Sequence, residues 1–187
     1  MKELSLNILD IAENSVKAGA DTVRITLTEA DNVLTIRIED NGCGMKKDFL
    51  ESVTDPFTTT RTTRKVGLGI PLFKLAAEQT DGSFLIESRH ADDHPGDHGT
   101  VTQASFHTDH LDFTPLGDVV STMTVLIQGS PGIHWIYSHT TPTGEVALDT
   151  DELKAVLGDV PLNNAEVIAW IGGYLKEQYE EIGYSFT

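Results

Sequence analysis

Two adjacent runs constrain the architecture of this chain more than any other feature. TVRITLTE and NVLTIRIED place Val23, Ile25 and Leu27, then Leu34, Ile36 and Ile38, at every second position, with Asp31 and Asn32 between the runs. A period of two marks strands with one buried face, and an Asp-Asn pair suits a tight turn, so a β-hairpin is expected here. Before it, Leu4, Ile8, Leu9, Ile11, Ala12 and Val16 recur at helical spacing, and Gly19 is placed to stop the helix. After it come a glycine-rich loop from Asp40 to Gly44, a short helical stretch around Phe49 to Val53, and a threonine-rich basic segment from Thr58 to Lys65. Pro71 is read as the first position of a second long helix that ends before Gly82. The strands SFLIES and TVTQASF follow, on either side of the loop from Arg89 to Gly99.

The alternating pattern stops near His110 to Pro115, where a boundary is expected between residues 1–110 and 111–187. The second part predicts a helix over Leu116 to Gln128, a hairpin from GIHWIYSHT and GEVALDT, and two helices capped by Asp149 or Thr150 and by Asn163 or Asn164. Two strands alone make a poor sheet, so this part is expected to pack on the first or extend it. With 187 residues and 39% hydrophobic content the chain can bury a sizeable core.

The net charge of −16 is unevenly spread, −7 over residues 1–110 and −9 over 111–187. It opposes a polyanionic backbone, so nucleic-acid binding is disfavoured. Cys43 is the single cysteine and cannot form an internal disulfide, which leaves a reducing cytoplasm as the expected location. The first turns are interrupted by Glu3, Asn7, Asp10 and Glu13, and no stretch approaches about 18 consecutive apolar residues, so neither a secretory leader nor a membrane span is expected.

Helix 1 carries a polar stripe. Asn7, Asp10, Asn14 and Lys17 fall within roughly 80° of one another, with Glu13 at the rim. Amide and carboxylate oxygens are hard donors for Mg²⁺, and the ammonium can offset phosphate charge, although a solvated helix face carries the same residue types. Asp40, at the end of a strand and next to flexible glycines, could accept a hydrogen bond from an exocyclic amine such as that of adenine. Gly67-Leu68-Gly69 opens the second long helix, whose free N–H groups favour anions. The Walker pattern is absent.

ENSVKAGAD, DNGCGM, DPFTTT, GLGIPL and GTVT, in this order, resemble the successive nucleotide-binding boxes of the Bergerat-fold (GHKL) ATPases, the superfamily of gyrase, histidine kinases and MutL. The resemblance spans residues 1 to about 108; DNGCGMKKD is similar to MutL, while DPFTTTR and GLGIPLFKLAAEQTDGSFLIES resemble the histidine-kinase branch. It implies a two-layer α/β sandwich of histidine-kinase-like ATPase type, with residues 111–187 as a small α/β extension. It also implies ATP and Mg²⁺ as ligands. Asn14 would ligate Mg²⁺, Lys17 would touch phosphate, Asp40 would bind the adenine amine, Gly42 and Gly44 would shape the adenine pocket, and Thr100 would support it. Asp10 sits where superfamily hydrolases keep their water-activating glutamate, and Glu13 is the alternative. Arg61, Arg64 and Lys65 would serve the γ-phosphate from a lid over Thr58 to Lys65, with Gly67 and Gly69 as hinge and phosphate-facing turn.

A complete sensor kinase carries a phosphoacceptor histidine on a helical hairpin before this domain, whereas this sequence starts on helix 1. A phosphoryl acceptor is therefore expected on a separate protein. Three readings follow: an ATPase or protein kinase acting on that acceptor, a non-catalytic nucleotide-gated binding module, and a mismatch-repair-type DNA ATPase, the last disfavoured by charge. His90, His94 and His98 are spaced by four, but Pro95 and Gly96 prevent a shared helical face, so no metal site is expected there. Cys43 is read as filling space in the adenine loop. The aromatics Trp135, Tyr137, Trp170, Tyr174, Tyr179 and Tyr184 are read as core or as a protein interface selecting a basic partner.

Overall fold

A computed structural model describes residues 3–54 and 68–186. Six strands form one sheet in the order β3-β4-β2-β1-β5-β6. They are β1 (Thr22–Ala30), β2 (Val33–Asp40), β3 (Phe84–Arg89), β4 (Gly99–His107), β5 (His134–Thr141) and β6 (Gly144–Asp149). All neighbours pair antiparallel except β1 and β5, which run parallel. Residues beyond 110 thus continue the same sheet: Val23 lies beside Trp135, and Leu27 beside His139.

The hairpin turn has positive φ at both Asp31 (52°) and Asn32 (60°), the geometry whose twist matches a two-residue connection. Val23, Ile25, Leu27, Leu34, Ile36 and Ile38 are all buried, on one face. Helix α1 (Leu4–Lys17) covers that face with Leu4, Ile8, Ile11 and Ala12, and α3 (Gly69–Glu78) adds Ile70, Phe73 and Ala77. A short α2 (Lys47–Val53) closes one side. Pro71 is the third residue of α3, not the first as expected; the first four N–H groups of a helix lack internal partners, so a proline there still costs no hydrogen bond.

After β4, α4 (Val119–Gly129) is capped by the Asp118 side chain, which accepts from the Ser121 N–H, and the helix begins three residues later than the sequence suggests. Asp149 caps α5 (Thr150–Leu157), and Asn164 caps α6 (Ala165–Glu181). Helix α6 runs unbroken through Gly172 and Gly173, held by the buried stripe Val167, Ile171, Leu175 and Tyr179. Among the described residues no helix is long and apolar enough to cross a membrane.

Candidate nucleotide site

Between α1, α2 and the ends of β2 and β4 lies a cavity of about 430 Å³. Its walls are largely apolar, from Ile11, Ile38, Met45, Phe49, Val53 and Ile70. Its polar groups come from Asn14, Ser15 and Lys17 on α1, Asp40 on β2, and Thr100 and Thr102 on β4. A largely apolar cavity with a few fixed polar groups is what a planar heterocycle needs.

Asp40 is held from two sides. Its Oδ2 accepts from the Ser15 hydroxyl at 2.6 Å, and its Oδ1 accepts from the Gly42 N–H at 2.9 Å. An ionised carboxylate has about four acceptor positions, so two bonds orient the group and leave capacity for a ligand N–H. The register places Asp40 beside Thr100, whose hydroxyl is 2.8 Å from Ser88 Oγ. Ser88 Oγ also accepts from the Met45 N–H at 2.7 Å, which ties the glycine loop to β3 and β4.

The loop glycines are required by packing. A Cβ on Gly42 would lie 2.7 Å from Ala18 Cβ and 3.0 Å from Asp40 Oδ1. Gly44 has φ +69°, and a Cβ there would sit 2.0 Å from the Arg89 carbonyl oxygen. His98 Nδ1 fixes the same loop through the Gly42 carbonyl at 2.5 Å. Cys43 is exposed and lines the cavity, so the expectation that it fills space in the loop does not hold: its neighbours Gly42 and Gly44 occupy the tight positions instead.

On α1 the polar stripe is split. Asn14 and Lys17 line the cavity, whereas Asp10 and Glu13 do not. Lys17 Nζ lies 3.9 Å from Glu13 Oε2, both largely exposed. Asp10 packs against the start of α3, where a Cβ on Gly69 would come within 2.9 Å of its own Cβ. Burial, then the charge of Glu13, push the Asp10 carboxyl above its ordinary range, with Lys17 opposing. Asn7 is buried, and its Nδ2 has no hydrogen-bond partner among the described residues.

The structure therefore brings Asn14, Lys17, Asp40, Gly44 and Thr100 around one cavity, with Gly42 behind it. Gly69 touches Asp10 and not the cavity. Arg61, Arg64, Lys65 and Gly67, and with them the expected lid, lie outside the described residues. Sequence reasoning missed Ser15 and Thr102. Ser15 carried a signal: it falls in line with Ile8 and Ile11 on the buried face of α1, and a buried hydroxyl requires a partner.

Residues 2–110 match the family of histidine kinase-, DNA gyrase B- and HSP90-like ATPases. The cell-division control histidine kinase PdhS of Brucella anthropi is 29% identical over 119 residues, which cover 57% of this chain and 11% of that protein. The histidine-protein kinase AtoS of Escherichia coli is 32% identical over 88 residues, 47% of this chain and 14% of that protein. The aligned segment is thus a small fraction of either relative. The MutL ATPase domain of Aquifex aeolicus, solved with ADP, superposes over 99% of this chain and 98% of its own with a TM-score of 0.53 at 13% identity, a likeness of fold alone. The family match spans more than half the chain, from the start of α1 past the end of β4, and includes every element that lines the cavity; the chain belongs to the histidine kinase-, DNA gyrase B- and HSP90-like ATPases.

Proposed function

We propose that this protein binds ATP with Mg²⁺ in the α1–β2–β4 cavity and either hydrolyses it or passes its γ-phosphoryl group to a separate acceptor protein. The observation that carries the reading is Asp40: a carboxylate oriented by Ser15 and Gly42 at one end of an apolar slot, with Asn14 and Lys17 on the helix beside it. Asp40 accepts from the adenine amine, while Ile38, Met45 and Ile70 exclude water from the ring faces. The donor set fits Mg²⁺ as a shared ion: Asn14 supplies one hard oxygen, and Mg²⁺ usually keeps waters and takes its remaining ligands from phosphates. Lys17 offsets phosphate charge. Arg61, Arg64 and Lys65 are assigned to the γ-phosphate from sequence alone.

Asp40→Asn tests the adenine contact, because it replaces one acceptor oxygen by a donor. Calorimetry should show ATP affinity falling about 5- to 150-fold, or about 1–3 kcal/mol. Equal affinity in the two proteins overturns the assignment.

Asp10 is the first choice as the base that activates water and Glu13 the second, since burial, then the charge of Glu13, raises the Asp10 carboxyl above its ordinary range and makes it a better proton acceptor than a free aspartate. Asp10→Asn should keep ATP affinity and lower turnover about 100-fold. A second reading, a nucleotide-gated binding module without turnover, is favoured by one observation: neither Asp10 nor Glu13 lines the cavity among the described residues. Intact binding with neither ADP formation nor transfer of a labelled γ-phosphoryl group to any protein of a cell extract would select it.

A further inference from the structure

Helix α6 presents two adjacent stripes, about a quarter of a turn apart. Val167, Ile171, Leu175 and Tyr179 are buried, while Trp170, Tyr174 and Gln178, also four apart, face past the edge of the sheet. Trp170 and Tyr174 are stacked, with ring centroids 5.0 Å apart and planes 8° from parallel. They remain 54% and 37% exposed, so a flat aromatic surface is built and left in water.

The stack borders a groove of about 520 Å³, separate from the nucleotide cavity and sharing no residue with it. Its floor is the outward row of β5 and β6, Ile136, Ser138 and Ala147, and its other wall is the start of α5. Gln178 determines what the groove can read. Its Oε1 accepts from the Ala147 N–H and its Nε2 donates to the Ala147 carbonyl, both at 3.0 Å. In an antiparallel strand the N–H and C=O of one residue point to the same side, so Gln178 occupies the middle of the β6 edge. An incoming chain cannot add there as a seventh strand. Recognition must go through side chains.

The charges in the groove select their sign. Glu145 and Glu152 both line it, and among the described residues neither carboxylate makes an ion pair or accepts a side-chain hydrogen bond. Asp149 is already committed, to His134 at 2.7 Å and to the N–H groups of Asp151 and Glu152. Arg24 is the one cation among the described residues that line the groove, in the same lateral row as Ile136 and Asp149. Two free carboxylates against one guanidinium, within a part of the chain of net charge −9, attract cations. A guanidinium stacks on an exposed aromatic face and donates to flanking carboxylates, which is the chemistry this groove offers. Glu145 lies four residues from Asp149 along β6, about 13 Å, a span that four residues of extended chain would cover.

We infer that this groove docks a short extended segment of a partner protein carrying arginines about four residues apart, one on the Trp170–Tyr174 stack beside Glu152 and one at Glu145. The site is independent of nucleotide binding, so it stands or falls apart from the function proposed above.

The probe is the blocked peptide acetyl-Arg-Gly-Ser-Gly-Arg-amide, titrated into the whole chain at about 0.15 M salt to screen non-specific attraction. Trp170 reports binding by fluorescence, because the other tryptophan, Trp135, is fully buried. Saturable binding is expected, weakened about tenfold or more by Trp170→Ala (followed by calorimetry) and by the exposed-site change Glu152→Gln, and abolished when citrulline replaces both arginines. ATP affinity and melting temperature of Glu152→Gln should equal those of the parent. Unchanged peptide affinity in these variants, equal binding of the citrulline peptide, or preferential binding of acetyl-Glu-Gly-Ser-Gly-Glu-amide would overturn the inference. So would a concentration-dependent dimer that Trp170→Ala abolishes, which would make a second copy of this chain the occupant.

Discussion

The two ends of the sheet use polar groups in opposite ways. At the nucleotide end, polar groups satisfy one another only in part: the half-buried Asp40 is oriented by Ser15 and Gly42 yet keeps acceptor capacity for a ligand. At the other end, polar groups inside the fold satisfy each other. Tyr137 and Tyr179 share a hydrogen bond, His139 Nδ1 is 2.8 Å from the Tyr179 hydroxyl, His139 Nε2 is 3.0 Å from Glu29, and Tyr184 donates to Glu29 at 2.5 Å. That chain stitches β1, β5, α6 and the residues after it into one body. Burial, the leading cause in each case, pushes the hydroxyls of Tyr137, Tyr179 and Tyr184 well above the ordinary tyrosine range, which keeps them as neutral donors. Partial satisfaction prepares a site for a ligand, whereas closed satisfaction fixes a core.

The largest test of this comparison asks whether the two ends are one structural unit. Trp135 is fully buried on β5, and its backbone N–H donates to the Thr150 hydroxyl while its ring N–H donates to the Ser130 carbonyl. Trp135→Ala should cost about 3–5 kcal/mol in urea unfolding. Because β5 pairs with β1, nucleotide binding and circular dichroism should be lost in one shared transition. Two separated transitions would mean that residues 111–187 unfold as a unit of their own.

A smaller effect is expected at the nucleotide end. Ser15→Ala removes a buried hydroxyl that holds Asp40 and leaves one carboxylate oxygen without its protein donor. Bonds to charged groups contribute about 1.5–3 kcal/mol, which should appear divided between a lower melting temperature and weaker ATP binding. Lower stability with unchanged ATP affinity would show that Gly42 alone positions Asp40.

Much of this was legible because the physical signals were local. The alternation of Val23, Ile25 and Leu27 reported the buried face of β1 without any knowledge of what covers it, and Asp31-Asn32 reported its turn. Asp40, Asn14 and Thr100 could be named because the boxes that carry them resemble a known family in order. What failed to show was pairing between distant segments. Nothing in HWIYSHTT states that it runs parallel to β1, since that neighbour is chosen by the crossover through α4 and by the packing of Trp135, Tyr137 and His139. Ser15 was overlooked for the same reason: its role exists only once β2 brings Asp40 beside α1, 25 residues away. Trp170 and Tyr179 are chemically similar on paper and lie on the same helix. Only the position of the helix at the sheet edge sends one to solvent and the other to the core.

The smallest predicted effect contrasts two carboxyls, one at each end. Asp10 is raised above its ordinary value of 3.8, by burial and then by Glu13. Its ionisation is therefore disfavoured by the fold: the cost is absent at low pH and complete once pH has passed the raised value. Glu29 is shifted the other way. Burial alone would raise it, but the hydrogen bonds from His139 and Tyr184 outweigh burial and hold it below 4.5. Its stabilisation is complete above 4.5 and is lost as pH falls through the depressed value. Asp10→Asn should thus raise the melting temperature slightly at pH 7, with the gain vanishing in acid. Glu29→Gln should lower it at pH 7, with the penalty shrinking below about 4.5, where the parent loses the same contribution. Thermal melts of the three proteins across the acid range measure both slopes. Two curves of the same sign would show that the nucleotide end, like the other, stabilises its charged groups, and the distinction between a prepared site and a closed core would then rest on the hydrogen bonds of Asp40 alone.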